Sequence, residues 1–97
     1  MSERTTEINL GGNLRMTLVH NVSKPSYLAG VYRRLRRPGQ IAGVAIAQSE
    51  HAQLVVQPRD DAGSLWIGAV KFTVPLPAVE RIEEFFQLRA TRAKDIA

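Results

Sequence analysis

The chain has 97 residues, of which 44% are hydrophobic and 23% are charged, and its formal net charge is +4. This length predicts a single domain over residues 1–97, and the composition excludes an intrinsically disordered chain. The absence of cysteine excludes a disulfide framework and a thiolate metal site.

The N-terminal part of the chain has the pattern of a β-hairpin. Residues 5–10 and 14–19 both follow the two-residue period of a strand. The apolar residues on one side are Ile8, Leu10, Leu14, Met16 and Leu18. Gly11-Gly12-Asn13 lies between the two runs and tolerates the positive φ angles of a tight turn. Two antiparallel strands are therefore predicted here.

Residues 24–37 fit either a helix or a strand. On a helical wheel, one apolar stripe would hold Leu28, Val31, Tyr32 and Leu35. Ser23 could cap such a helix, whereas Gly30 in its middle would cost about 1 kcal/mol. Tyrosine and valine also favour strands, and Pro38-Gly39 would end either element. The sequence leaves both alternatives open.

The middle of the chain is predicted to form further strands. Residues 41–48 and 52–57 are apolar runs, and residues 58–63 have the composition of a loop. Residues 65–74 have period two and precede a proline, so we expect one strand there. One face of that strand would carry Trp66, Val70, Phe72 and Val74.

A helix is predicted at the C-terminal end of the chain. It begins at Pro77, because proline suits the first helical turn. Its buried face would consist of Val79, Ile82, Phe85, Phe86 and Leu88.

These elements predict an α+β fold. We expect one antiparallel β-sheet of five to six strands packed by the C-terminal α-helix, with an additional helix at 24–37 if that segment is helical. One helix can hardly cover so wide a sheet, and Trp66, Phe85 and Phe86 provide much apolar surface. Pairing of two copies would bury the remainder, so a homodimer is predicted.

The net positive charge comes from one segment. Residues 8–49 contain no Asp or Glu, and their six basic residues are Arg15, Lys24, Arg33, Arg34, Arg36 and Arg37. Charge of one sign attracts a polyanion. Arginine binds phosphates and tyrosine stacks on unpaired bases, so the arginines beside Tyr27 and Tyr32 indicate nucleic-acid contacts. The alternative is a basic face that only improves solubility, with both tyrosines in the core.

The sequence does not predict an enzyme. His20 and His51 are far apart, and neither has the spacing of metal ligands. We expect no catalytic residues, no metal, no cofactor and no small-molecule substrate. The N-terminus lacks the apolar core of a signal peptide, and no apolar run approaches the ~20 residues of a membrane-spanning helix. We therefore expect a cytoplasmic protein without a membrane partner, from a bacterium or a phage-infected cell.

Two parts of the chain carry a family pattern. The first part consists of residues 10–18, 24–27, 31–34 and 38–39. The second part consists of residues 68–74 and the helix from Pro77. Both resemble the positive cofactor four family of single-stranded-DNA-binding transcriptional coactivators. The resemblance implies a dimer of curved antiparallel sheets backed by helices. It requires a strand over residues 27–36 and an inserted hairpin at residues 40–65. The family's DNA-binding strands would match Arg15, Lys24, Tyr27, Tyr32, Arg33 and Arg34.

The predicted function is that of a non-enzymatic nucleic-acid-binding protein that prefers single-stranded DNA and acts in transcription, replication or phage biology. The predicted contact residues are Arg15, Lys24, Tyr27, Tyr32, Arg33, Arg34, Arg36 and Arg37. The alternative is a small protein–protein regulator, such as a phage-encoded inhibitor, whose arginines bind an acidic protein surface.

Overall fold

The N-terminal half of the chain forms one antiparallel sheet. A computed structural model describes residues 3–24, 26–57 and 61–92. The strands of the first sheet are β1 (Glu3–Gly11), β2 (Leu14–Asn21), β3 (Ser26–Arg34) and β4 (Ile41–Ser49). They pair in the order β1-β2-β3-β4, each with its neighbour in sequence. The predicted hairpin is confirmed as β1 and β2.

A second sheet and one helix complete the described part of the chain. The strands of this sheet are β5 (Ala52–Val56), β6 (Ala62–Ile67), β7 (Val70–Pro75) and β8 (Thr91–Arg92), and the helix α1 (Leu76–Phe86) follows β7. Their order is β7-β6-β5-β8, with β8 parallel to β5 and the other pairs antiparallel. Of the loop predicted at 58–63, residues 58–60 lie outside the described residues.

The α+β class is confirmed, but the single sheet of five to six strands is wrong. The described strands form two sheets of four, because β5 pairs with β6 and not with β4. The amide of Gly68 donates a 2.8 Å hydrogen bond to the carbonyl of His51, so the chain joins the second sheet directly after β4. For the same reason residues 40–65 do not form an inserted hairpin. The helix is also not the last element, since β8 follows it.

Residues 26–34 form a strand, so the alternative of a helix at 24–37 is wrong. β3 lies between β2 and β4 and pairs with both along most of its length. A strand in this position satisfies its backbone groups on both sides and accommodates aromatic and β-branched residues well. Ala29 at its centre is fully buried.

The run predicted as one strand at 65–74 is a hairpin. Gly68 has a φ of 60°, which favours glycine, and the chain reverses there between β6 and β7. The reversal changes which side chains share a face. Phe72 and Val74 are buried, whereas Trp66 lies opposite Lys71 on the other face and is partly exposed.

Helix α1 closes the core between the two sheets. The ring of Phe86 makes edge-on contacts with His20 and Tyr27 of the first sheet, at 5.7 and 5.1 Å between ring centroids. Val79 lies against Gly63 of the second sheet. The helix therefore joins both sheets in one apolar cluster. Within the described ranges, no helix is long and apolar enough to cross a membrane.

The predicted buried face of the helix is confirmed for Val79, Ile82, Phe85 and Phe86. Leu88 lies beyond the helix end, which Gln87 closes in the left-handed conformation. Phe85 and Phe86 are buried within one chain, whereas Trp66 is 37% exposed. The homodimer therefore stays a prediction that the two phenylalanines do not support.

Replacement of Gly63 by alanine tests the contact between α1 and the second sheet. A Cβ added at Gly63 would lie 2.8 Å from Cγ2 of Val79, so we expect Gly63→Ala to destabilise the protein. The expected loss is about 1–3 kcal/mol in the free energy of unfolding, measured by urea denaturation. Gly43→Ala is the matched control, because a Cβ there meets no atom within 4 Å. Equal stability of the two variants would contradict this packing.

Candidate functional site

The first sheet has an inner face, towards α1, and an outer face, towards solvent. Met16, Leu18 and His20 of β2 alternate onto the inner face and are buried. The intervening residues lie on the outer face, where Arg15 is directly opposite Tyr32 of β3. Arg34 lies two residues further along the same strand and on the same face. The structure thus brings Arg15, Tyr32 and Arg34 together.

Tyr32 is held along the outer face. Its hydroxyl donates a hydrogen bond to Oε2 of Glu7 on β1. Because β2 lies between β1 and β3, the axes of these strands are about 10 Å apart. To reach Glu7 the tyrosine ring must extend over β2 near Thr17, which pairs with Glu7. One ring face is therefore turned to solvent, in agreement with the partial burial of the residue.

The environment of Tyr32 changes its acidity. The hydrogen bond to Glu7 raises the pKa of Tyr32 above its ordinary value, and partial burial and the negative charge of Glu7 act in the same direction. A hydrogen bond with Thr17 and the positive charge of Arg34 lower the pKa but do not outweigh these causes. Tyr32 is therefore a neutral phenol at pH 7, and Arg34 lies close enough to influence it.

An arginine groove lies at the end of the sheet beside Tyr32. It has a volume of about 460 Å³, and its lining residues are Gly12, Asn13, Arg15, Arg34, Leu35 and Arg36. The amide of Arg34 donates a 2.8 Å hydrogen bond to the carbonyl of Asn13, which holds the β1–β2 turn against β3. Nη1 of Arg15 donates to Oδ1 of Asn9 and to two backbone carbonyls at 2.9–3.1 Å. These bonds fix the Arg15 guanidinium in the groove.

The loop between β3 and β4 carries Arg36 and Arg37. The amide of Leu35 donates to the carbonyl of Gln40 at 3.0 Å, and the amide of Gln40 donates to the carbonyl of Arg37 at 3.1 Å. These bonds close the loop. In the described part of the chain, Arg33, Arg34, Arg36 and Arg37 form no ion pair with a carboxylate. Their charges are therefore available to a ligand.

An apolar groove adjoins Tyr32 on its other side. Its volume is also about 460 Å³, and its walls include Leu28, Gly30, Tyr32, Gly43, Val44 and Ile46. A β-bulge shapes it, since Val31 pairs with Ala45 and Tyr32 with Gly43, which leaves Val44 as the extra residue. The bulge turns Val44 to the outer face beside Tyr32. Tyr32 thus separates a cationic groove from an apolar one.

The remaining predicted contact residues do not join this site. Tyr27 lies on the inner face, where its ring stacks on His20 with 4.9 Å between centroids and contacts Phe86. Arg33 is adjacent to Arg34 in a strand and therefore points to the opposite face. Lys24 lies in the β2–β3 turn, at the far end of β3 and about 26 Å from Arg34 along the strand.

The two histidines are also separate. His20 is buried among the aromatic rings of the core, and His51 is exposed beside the second sheet. In residues 3–24, 26–57 and 61–92, no three His, Asp or Glu side chains lie close enough to hold a metal ion.

Three residues of the site were not found by sequence reasoning. Glu7 lies 25 residues before Tyr32, and no local pattern connects them. Val44 and Ile46 belong to a run predicted only as a strand. For Val44 and Ile46, the sequence signal is that residues 41–49 contain no charged residue.

Comparisons of this chain with family models, with curated proteins and with solved structures find no match. The resemblance to the positive cofactor four family therefore stays a prediction. β3 provides the strand that the resemblance requires within residues 27–36.

The bond between Tyr32 and Glu7 is testable by titration. In a Tyr27→Phe background, the tyrosinate absorbance reports Tyr32 alone, because the chain has only two tyrosines. We expect Glu7→Gln to lower the pKa of Tyr32 towards its ordinary value, since it removes the anionic acceptor. Glu3→Gln, on the same face of β1, removes an equal charge without touching the bond and should leave the pKa unchanged. An equal effect of both variants would contradict the assignment.

The same bond predicts a pH dependence of stability. Because the folded-state pKa of Tyr32 is raised, the contact stabilises the fold below the unfolded-state pKa of about 10. This contribution is lost as the pH rises through the folded-state pKa. The urea midpoint should therefore fall more steeply above pH 10 in the Tyr27→Phe background than in the same background with Glu7→Gln. Parallel profiles would rule the contribution out.

Proposed function

We propose that this protein binds single-stranded DNA on the outer face of its first sheet and catalyses no reaction. The observation that carries the proposal is the position of Tyr32, whose ring lies along the sheet between the arginine groove and the apolar groove. This arrangement combines a cationic path for a backbone with an aromatic surface for a base.

The arginine groove supplies the phosphate contacts. Arg15, Arg34 and Arg36 line one small concavity, and a guanidinium group can bind two phosphate oxygens at once. Arg37 extends the cationic surface along the loop. Glu3 and Glu7 on β1 repel phosphates. The DNA strand therefore runs from the arginine groove towards β4 and not across β1.

Tyr32 and the apolar groove supply the base contacts. A base stacked on an exposed aromatic ring contributes about 1–3 kcal/mol and is accepted with little regard to its identity. Leu28, Val44 and Ile46 add apolar surface beside the ring without hydrogen-bonding groups. We therefore expect little sequence preference.

The orientation of the ring favours single strands over duplexes. Bases in a duplex are stacked on each other, so their faces cannot reach a ring that lies along a sheet. An unpaired base can turn towards the sheet and stack on Tyr32. Double-stranded DNA would be limited to phosphate contacts and would bind more weakly.

A second candidate function is a small protein–protein regulator whose arginines bind an acidic surface. The arginine loop favours it, because Arg36 and Arg37 form no ion pair with the described carboxylates and are free to pair with those of a protein partner. This function predicts a stable complex with a protein and negligible binding to oligonucleotides.

Substitutions in the site test the proposal by fluorescence anisotropy with a labelled oligothymidine. Tyr32→Ala should weaken binding by about 1–3 kcal/mol through the loss of stacking. The double variant Arg34→Ala/Arg36→Ala should also reduce the slope of log K against log salt, by about 0.7 for each phosphate contact that is lost.

The matched control is Lys71→Ala/Arg81→Ala, which removes the same charge from exposed positions on β7 and α1. We expect this control to bind nearly as the wild type does. If both double variants lose affinity equally, binding reflects net charge and not the site. If the wild type binds no single strand at low salt, the proposed function is wrong.

A further inference from the structure

Strand β4 is an uncharged edge of the first sheet. Among the described strands it pairs with β3 alone. Its nine residues include no Lys, Arg, Asp, Glu or Pro. Natural sheets protect an edge with charges, proline, bulges or a covering segment, and of these devices β4 shows only the bulge at Val44. A long apolar edge without charges readily pairs with another strand.

The side chains of β4 are also unusually exposed. Ile41, Val44 and Ile46 have 60%, 57% and 73% of their surface open to solvent. Ala42 and Ala45, which follow the inner face, are exposed as well. Solvent therefore reaches both faces of residues 41–46, whereas Ala47 packs against the core. A soluble monomer gains nothing from such a surface, which is typical of an interface.

We infer that two copies of this chain associate by antiparallel pairing of their β4 strands about a two-fold axis near Ala45. In a two-fold interface the same surface patch of each copy forms the contact. Like charges on the strand would therefore lie close together if the strand carried any. β4 carries none between Ile41 and Ser49. It also places Val44 and Ile46 next to the same two residues of the second copy on the outer face.

The charges of the two copies are compatible with this arrangement. Antiparallel pairing near Ala45 separates the two Ile41 residues by eight positions along the strands, or roughly 26 Å. The arginine loops that precede Ile41 therefore lie at opposite ends of the interface. This distance exceeds the Debye length of about 8 Å at physiological ionic strength, so salt screens the repulsion between the loops. An acidic partner, in contrast, would match the arginine loop and not an uncharged strand.

The dimer would have one continuous sheet of eight strands, since each copy contributes the four strands of its first sheet. The two outer faces then form one surface, with the apolar grooves at its centre and an arginine groove at each end. If the proposed function holds, this surface extends the path of one DNA strand across both copies.

Light scattering after size exclusion tests the interface at micromolar concentration. We expect the wild type to have a mass of about 21.6 kDa, twice the 10.8 kDa of one chain. Val44→Lys/Ile46→Lys should convert it to a monomer, because four lysines would meet at the interface. Val22→Lys/Leu76→Lys is the matched control, with the same chemical change at two apolar residues exposed elsewhere. It should remain a dimer, and circular dichroism should show that both variants are folded.

Cysteine cross-linking locates the interface independently. The chain has no cysteine, so a single introduced thiol is the only one present. Residues directly opposite each other in antiparallel strands have Cβ atoms about 4.5–5.5 Å apart. On mild oxidation we expect Val44→Cys, Ala45→Cys or Ile46→Cys to give a covalent dimer, fastest for the position nearest the axis. Gln53→Cys on β5 is the exposed control and should stay largely monomeric on a denaturing gel.

Three results would overturn the inference. They are a monomeric wild type at micromolar concentration, a Val44→Lys/Ile46→Lys variant that remains a dimer, and cross-linking of Gln53→Cys as fast as that of the β4 variants. Oligonucleotide binding by the wild type keeps the two proposals apart. A monomer that binds single-stranded DNA would leave the proposed function intact, and a β4-paired dimer that binds none would refute only that function.

Discussion

One helix has to cover two sheets, and the rest of the structure follows from this constraint. Phe86 packs against His20 and Tyr27 of the first sheet, while Val79 of the same helix lies against Gly63 of the second. A helix of 11 residues is only about 16 Å long, so it cannot also cover the far edge of either sheet. The inner face of β1, β2 and β3 is covered, and residues 41–46 of β4 are left exposed.

The same constraint defines the candidate site. Because Tyr27 packs against the helix, it is unavailable on the outer face, and of the two tyrosines only Tyr32 lies there. The pairing of β1 with β2 then brings Glu7 within reach of the Tyr32 hydroxyl. Strand pairing brings Arg15, Arg34 and Arg36 together, although Arg15 and Arg36 are about 20 positions apart in sequence. Lys24 lies at the opposite end of the sheet.

Local sequence patterns predicted the elements better than their arrangement. The hairpin around Gly11-Gly12, the strands near 41–48 and 52–57 and a helix after Pro75 are confirmed, because period and turn residues act within a few positions. The segment at 24–37 was ambiguous, since its apolar residues fit both periods. A strand assignment would have placed Tyr27 and Tyr32 on opposite faces, because five positions is an odd number. The predicted strand at 65–74 failed because Gly68 reverses the chain inside an otherwise regular pattern.

The sequence alone determined the α+β class, the location of the positive charge and the residue types available for binding a polyanion. These properties depend on composition and on short-range periodicity. Only the tertiary structure decided that the strands divide into two sheets, that Tyr32 and Glu7 share a bond, and that β4 is an edge. Each of these depends on which strand lies beside which, and such pairing joins residues too far apart in sequence for any local pattern to record.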